Sequence, residues 1–311
     1  MTGGGYFWAG CALAIALAYG LTLVVSNEYP FFAGYVVIQF VLLATAWNIA
    51  GGYAGYVNFG AAGFFGAGAY AAVAAGLLGA PLAVQILCAA VAGAAISLGV
   101  AYLSVRLRGI YYSIATIAVS VILESIVLNW PFVGGARGLS IVRPPPPPGF
   151  SNYTAFLFVV MTMLAVIGVA VAREVERTRL GRGLAAIRDN EMAAEACGVP
   201  TLNLKIVAIV LSGALMAVAG APYAYYASYI DPTSAFNMSY SLAALAMPLL
   251  GGTATWAGPV VGAVVLSSLQ QLLTVFASAQ VNLLVLGLIL VLSVILLPQG
   301  ALELARRRRP A

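Results

Sequence analysis

The sequence has no histidine in its 311 residues, which removes the commonest metal ligand and the commonest general base near neutral pH. Charge is also scarce. Asp, Glu, Lys and Arg make up 7% of the chain, against about a quarter of a soluble domain. Lysine occurs once, at Lys205. Cysteine occurs three times, at Cys11 and Cys88 in apolar stretches and at Cys197 in a basic loop. That pattern indicates neither a disulfide framework nor a CxxC metal site. No GxxxxGK[ST] phosphate loop is present, so the chain has no Walker site for ATP. It also lacks the apolar/polar alternation over about ten residues that marks a membrane β-barrel strand, and a soluble basic face for nucleic acid.

What is present is apolar. Hydrophobic residues make up 63% of the sequence, and runs of about 20 recur along it, the length that spans a bilayer as a helix. Ten spans are predicted, at about 6–25, 31–50, 57–78, 82–104, 110–129, 151–172, 204–228, 239–251, 258–277 and 281–298. The start, MTGGGYFWAG, lacks a basic n-region and reads as the beginning of a first span rather than a signal peptide. The expected fold is an all-α polytopic membrane helix bundle, one transmembrane domain over residues 1–311, with lipid as its solvent.

The charges orient the map. With the N-terminus inside, the inner segments are 105–109, 173–205 and 299–311. They hold Arg106, Arg108, Arg173, Arg177, Arg179, Arg182, Arg188, Lys205 and Arg306 to Arg309, which is 12 of the 14 basic residues. Basic residues gather on the cytoplasmic side, so both termini are expected there. Residues 130–150 then form an external loop whose five prolines, Pro144 to Pro148, enforce a stiff polyproline segment. The loop divides the spans five and five. That count alone would suit an inverted repeat.

Residues 48–70, NIAGGYAGYVNFGAAGFFGAGAY, hold seven glycines in 23 positions. Glycine costs a helix about 1 kcal/mol relative to alanine. Two readings stay open. Small residues let helices approach closely, with Gly51/Gly55 and Gly258/Gly262 as GxxxG pairs. Alternatively, a helix break offers backbone groups to a substrate. Asn58 either bonds substrate or bridges helices, and Gly60 lies beside it. Glu124 stands inside the fifth span, where a carboxylate is costly and functional by default. Either it lines a pathway or it is sealed in an interface. Asn129 and Tyr112 share its helix. Gln270, Gln271 and Asn282 are candidates for interhelical bonding.

The loop 173–203 is long for a connection between spans. Within it, Asp189 or Asn190 can cap a helix of about eight residues that Gly198 and Pro200 end. Glu191 and Glu195, four apart, share a face. The short alanines keep the surface low, which suits a docking helix better than an interfacial one, since those favour Lys, Arg, Trp and Leu. Asp189, Glu191, Ala194, Glu195 and Gly198 are its candidate contacts.

This stretch, GRGLAAIRDNEMAAEACGV, resembles the EAA-type coupling loop of ABC importer permeases. With WNIAGGYAGYVNFGAAGFFGAGAYAA from Trp47, YYSIATIAVSVILESIVLNWPFVGGARGLS from Tyr111 and LLGGTATWAGPVVGAVVL from Leu249, it is similar to the LivM-type branched-chain amino acid permease family over roughly residues 35–298. Members of that family often have a histidine or other polar residue soon after the Phe59-Gly60 pair, where this sequence has Ala61. The resemblance implies a non-enzymatic transport subunit of a bacterial inner membrane. It implies as partners a paralogous LivH-type permease, two ATPase subunits that use ATP and magnesium, and an external substrate-binding protein. Urea or short amides are the implied alternative cargo. An ion-coupled transporter working alone would need more carboxylates at depth than Glu124.

Overall fold

The computed structural model describes residues 3–25, 27–104, 109–276, 284, 285, 287 and 288. Five long helices come first: α1 (Gly3–Val24), α2 (Tyr29–Gly51), α3 (Ala61–Leu77), α4 (Leu82–Ser104) and α5 (Ile110–Leu128). Two 3-10 turns and strand β1 (Leu139–Ser140) lead to α6 (Tyr153–Arg177), α7 (Arg179–Ala196) and α8 (Thr201–Gly220). Then come α9 (Tyr223–Ala227), β2 (Tyr229–Ile230), α10 (Pro232–Ala235), α11 (Met238–Gly251) and α12 (Ala257–Phe276). Seven helices among the described residues are long and apolar enough to cross a membrane. The chain is an all-α, multi-pass membrane protein.

Nine of the ten predicted spans fall on helices, with three differences of detail. The span expected at 57–78 is helical only from Ala61, because residues 52–60 are irregular. The span expected at 204–228 starts at Thr201 and is interrupted after Gly220. The short span at 239–251 is the 14-residue α11, which contains Pro248. The tenth, 281–298, lies almost wholly outside the described residues, as do Asn282, Arg106, Arg108 and the basic tail.

Helices α2, α3 and α8 form the centre, packed by α4, α6, α11 and α12. Within lipid no hydrophobic force drives helix onto helix, so backbone approach and dispersion must do so. The glycines of α3 serve this on several sides. A methyl at Gly63 would stand 2.8 Å from Ser120 of α5, and one at Gly66 2.8 Å from the Phe236 ring. One at Gly68 would overlap the Ala217 carbonyl of α8. In the same way Gly258 and Gly262 admit the backbone of α11.

Side-chain caps set several helix starts: Asn152 accepts from the Ala155 N–H at 2.7 Å, and Asn237 from the Ser239 N–H at 2.9 Å. The bundle has two distinct ends. At one, α7 lies against the C-terminus of α2, and the Arg173 guanidinium stacks 3.9 Å from the Phe7 ring of α1. At the other, β1 and β2 pair antiparallel, Leu139 opposite Ile230. There Arg143, just before the prolines, donates to the Tyr225 carbonyl at 2.8 Å and the Tyr226 carbonyl at 2.6 Å. The proline-rich loop is thereby tied to α9.

Candidate functional site

Asn58 and Gly60 lie in the break, residues 52–60, which re-enters the bundle as non-helical chain. Non-helical backbone within a protein must find its hydrogen bonds from neighbouring groups. The Val57 carbonyl accepts from the Ser113 hydroxyl at 2.8 Å, and the Asn58 carbonyl from the Trp47 indole at 2.6 Å. The Phe59 N–H donates to Thr116 Oγ1 at 3.1 Å, and the Gly60 N–H to Asn58 Oδ1 at 2.7 Å. These groups are therefore already bonded rather than presented to a substrate. Asn58, 2% exposed, caps its own turn through that bond. Gly60 is glycine because a methyl there would lie 2.5 Å from the Thr116 carbonyl oxygen.

The expected Gly51/Gly55 pair is corrected. Gly51 ends α2, while Gly55 is in the break with a left-handed φ of +76°, so the two share no helix face. Gly55 instead lies under Arg188 of α7, where a methyl on it would stand 3.1 Å from the Arg188 Cγ.

The predicted loop helix is longer than expected. It begins at Arg179 and bends at Asn190, whose φ of −161° and ψ of 107° are extended. Asn190 caps the segment that follows, accepting from the Ala193 N–H at 3.1 Å. Gly198, with φ +82°, closes it. The faces also differ from expectation. Glu191 and Ala194 turn inward: Ala194 is buried, and Glu191 pairs with Lys205 and accepts from the Tyr56 hydroxyl at 2.7 Å. The reason is electrostatic: Lys205 on the neighbouring helix supplies the countercharge that a half-buried carboxylate needs. Glu195 is exposed and accepts from Thr201 at 2.7 Å. Asp189 stays at the surface, 3.6 Å from Arg188. The outward face carries Met192, 67% exposed, with Ala193, Ala196 and Cys197.

Two further ties hold this end together. The Glu176 carboxylate, from the end of α6, accepts from the Trp256 N–H at 2.6 Å and from the Tyr53 hydroxyl at 3.5 Å. Arg188 donates to the Gly52 carbonyl at 3.3 Å.

Toward the opposite end, α2, α9, α10, α11 and α12 line an open-sided cavity of about 400 Å³. Val36, Phe40 and Ala243 form apolar wall, and the rings of Tyr223, Tyr226 and Tyr240 add aromatic surface. Gln39, Asn237, Ser239, Gln270, Gln271 and Thr274 supply polar groups. None of the lining residues is charged. Small-molecule sites are typically of this size, largely apolar with a few convergent polar groups. Asp231 caps α10, accepting from the N–H of Ser234, one of the lining residues, at 3.0 Å. Partial burial works to raise its pKa, but hydrogen bonds from Thr233 and Ser234 outweigh that and hold it below the usual carboxylate value.

Glu124 is half-buried on α5 and Asn129 is exposed at its end, donating to the Ser125 carbonyl at 2.8 Å. Neither lines the 400 Å³ cavity. Gln270 and Gln271 do, rather than acting only between helices. Sequence reasoning missed Gln39, Tyr56 and the tyrosine walls. Gln39, a lone amide in an apolar run, was the available signal.

Residues 29–294 match the family described as the branched-chain amino acid transport system permease component. The chain belongs to that family. It is 28% identical over 293 residues to the high-affinity branched-chain amino acid transport system permease protein LivM of Salmonella typhimurium, covering 86% of this chain and 68% of that protein. The LivM protein of Escherichia coli is 27% identical over the same shares. An autoinducer 2 import system permease protein, LsrC of Klebsiella pneumoniae, is 28% identical over 202 residues, 63% of this permease and 58% of that one. No solved structure gives a significant match. The family is one of transport subunits, and its match spans the break, α7 and the cavity alike.

Proposed function

We propose that this permease carries branched-chain or related neutral amino acids inward as one subunit of an ATP-driven importer in a bacterial inner membrane. Its partners would be a paralogous LivH-type permease, two ATPase subunits and an external binding protein. ATP and magnesium would be used by the ATPases alone. Both termini would be cytoplasmic, as would the α7 end. The observation that carries this reading is the polarity of the bundle. A neutral, amphipathic cavity lies toward one end, and a kinked helix with a bare outer face lies at the other.

The cavity chemistry suits a zwitterion. Amide and hydroxyl dipoles can bond an ammonium and a carboxylate whose charges cancel, and the aromatic walls accept an apolar side chain. A ligand with a further unpaired charge would be dehydrated without a counter-ion, which is strongly unfavourable. Urea, uncharged and polar, would use the amides but leave the aromatic walls bare.

The test is uptake into proteoliposomes holding this chain with its partner subunits. Labelled leucine uptake is expected to require ATP on the α7 side and to survive ionophores that collapse ion gradients. Competition should follow leucine and valine over urea, lysine and glutamate. Uptake by the chain alone, driven by an ion gradient, would overturn the proposal.

A further inference from the structure

We propose that Glu191, Lys205 and Tyr56 form a clamp that transmits movement of α7 to the break between α2 and α3. The proposal rests on the importer reading above.

Glu191 is the first residue past the bend at Asn190. Its two carboxylate oxygens hold two different elements. Oε1 pairs with Lys205 Nζ of α8, and Oε2 accepts from the Tyr56 hydroxyl at 2.7 Å. The Lys205 ammonium also stands 5.1 Å from the centre of the Tyr56 ring, and that ring meets Tyr112 of α5 edge-on at 5.3 Å. Lys205 is 8% exposed. Separating this pair would strand two dehydrated charges, which is strongly unfavourable. So α7 and Tyr56 move together or the clamp breaks.

The break is the compliant partner. Its backbone between Val57 and Gly60 is held by single side-chain hydrogen bonds, whereas α8 carries a continuous helical ladder. Segments with few such ties open at lower free energy than helices. A cavity of about 160 Å³, bounded by Tyr56, Gly109, Ile187 and Arg188, leaves space beside the clamp. Met192, next to Glu191, faces outward. A displacement of the Met192 face is thus passed at the adjacent residue to Tyr56. Glu191 and Lys205 act here as positioning residues, and neither needs to touch substrate.

The test uses the complete importer in proteoliposomes, with leucine uptake and ATP hydrolysis measured in the same vesicles. Tyr56→Phe keeps the ring and removes one bond, and Glu191→Gln removes the charge. Both should keep hydrolysis within about twofold of the parent while uptake per ATP falls about tenfold, as for losing one charge-assisted hydrogen bond. The reversed pair, Glu191→Lys with Lys205→Glu, should recover much of the ratio lost in Glu191→Lys alone. Unchanged uptake per ATP in Tyr56→Phe and Glu191→Gln overturns the clamp. Parallel loss of hydrolysis and uptake also overturns it, because the residues would then serve assembly. A parent complex that hydrolyses ATP without uptake fails the importer reading itself, and a coupled parent with coupled variants fails only the clamp.

Discussion

Asn48, near the end of α2, donates its side-chain amide to the backbone carbonyl of Thr253 at 3.1 Å, across 205 residues of sequence. It joins the last turn of α2, just ahead of Gly51-Gly52, to the residue that follows Gly251-Gly252. A methyl at Gly52 would stand 2.8 Å from the same Thr253 carbonyl. Asn48→Ala leaves that partly buried acceptor unpaired and opens a void. It should lower stability by about 1–3 kcal/mol, read as an earlier midpoint in thermal unfolding of the detergent-solubilised chain. Asn48→Asp should be worse, since it sets a carboxylate against the carbonyl.

Glycines on different helices should separate by environment. Gly68→Ala drives a methyl into the Ala217 carbonyl, and backbone cannot yield cheaply. Gly99→Ala on α4 meets nothing within 4 Å and gains helix propensity of about 1 kcal/mol. The first variant should lose folded yield in fluorescence size-exclusion profiles. The second should match or exceed the parent.

The helix positions were legible because apolar runs of bilayer length have few alternatives. The cap at Asn190 and the stop at Gly198 were legible for local reasons as well. The inward turn of Glu191 was not, because it depends on Lys205, fourteen residues on and on another helix, standing at the same height. The break ahead of Ala61 shows the same limit. Glycine density at 51–60 signals weak helix, but Trp47 on the preceding turn and Ser113 and Thr116, both distant in sequence, decide that non-helical chain is satisfied there. The cavity combines side chains from five helices, and no linear pattern marks that combination.

Acid should loosen the α10 turn through Asp231. Its pKa is depressed in the folded chain, so its contribution is present above the unfolded value, about 3.9. It is lost as pH falls through the lower folded value. Asn caps about as well as Asp, so Asp231→Asn should remove the acid-sensitive component while retaining structure at neutral pH. Hydrogen exchange of residues 233–236 between pH 3 and pH 6 would show whether the two profiles differ in that direction.

Arg143 anchors the proline-rich loop by donating to two carbonyls of α9. Arg143→Lys keeps the charge but cannot make the forked contact. Arg143→Gln loses charge and fork together, removing hydrogen bonds to a charged donor worth about 1.5–3 kcal/mol. Limited proteolysis within 139–150 should accelerate in the order parent, Lys, Gln. Equal rates for all three would place the loop's rigidity in the prolines alone.

The neutrality of the cavity gives the sharpest functional expectation. A carboxylate about 4 Å from a bound ammonium contributes about 4 kcal/mol at an effective dielectric constant near 20, enough to change which ligands compete. Gln270 lines the cavity and is only partly buried, so a carboxylate there keeps some hydration and can ionise. Gln270→Glu should therefore let lysine inhibit leucine uptake where it does not inhibit the parent. Glutamate should become a still weaker competitor, because two like charges would meet. Lowering the pH should erase the gain as the new carboxyl protonates, returning the variant toward the parent's selectivity. That reversal separates a charge effect from a change of cavity shape, which acid would leave in place.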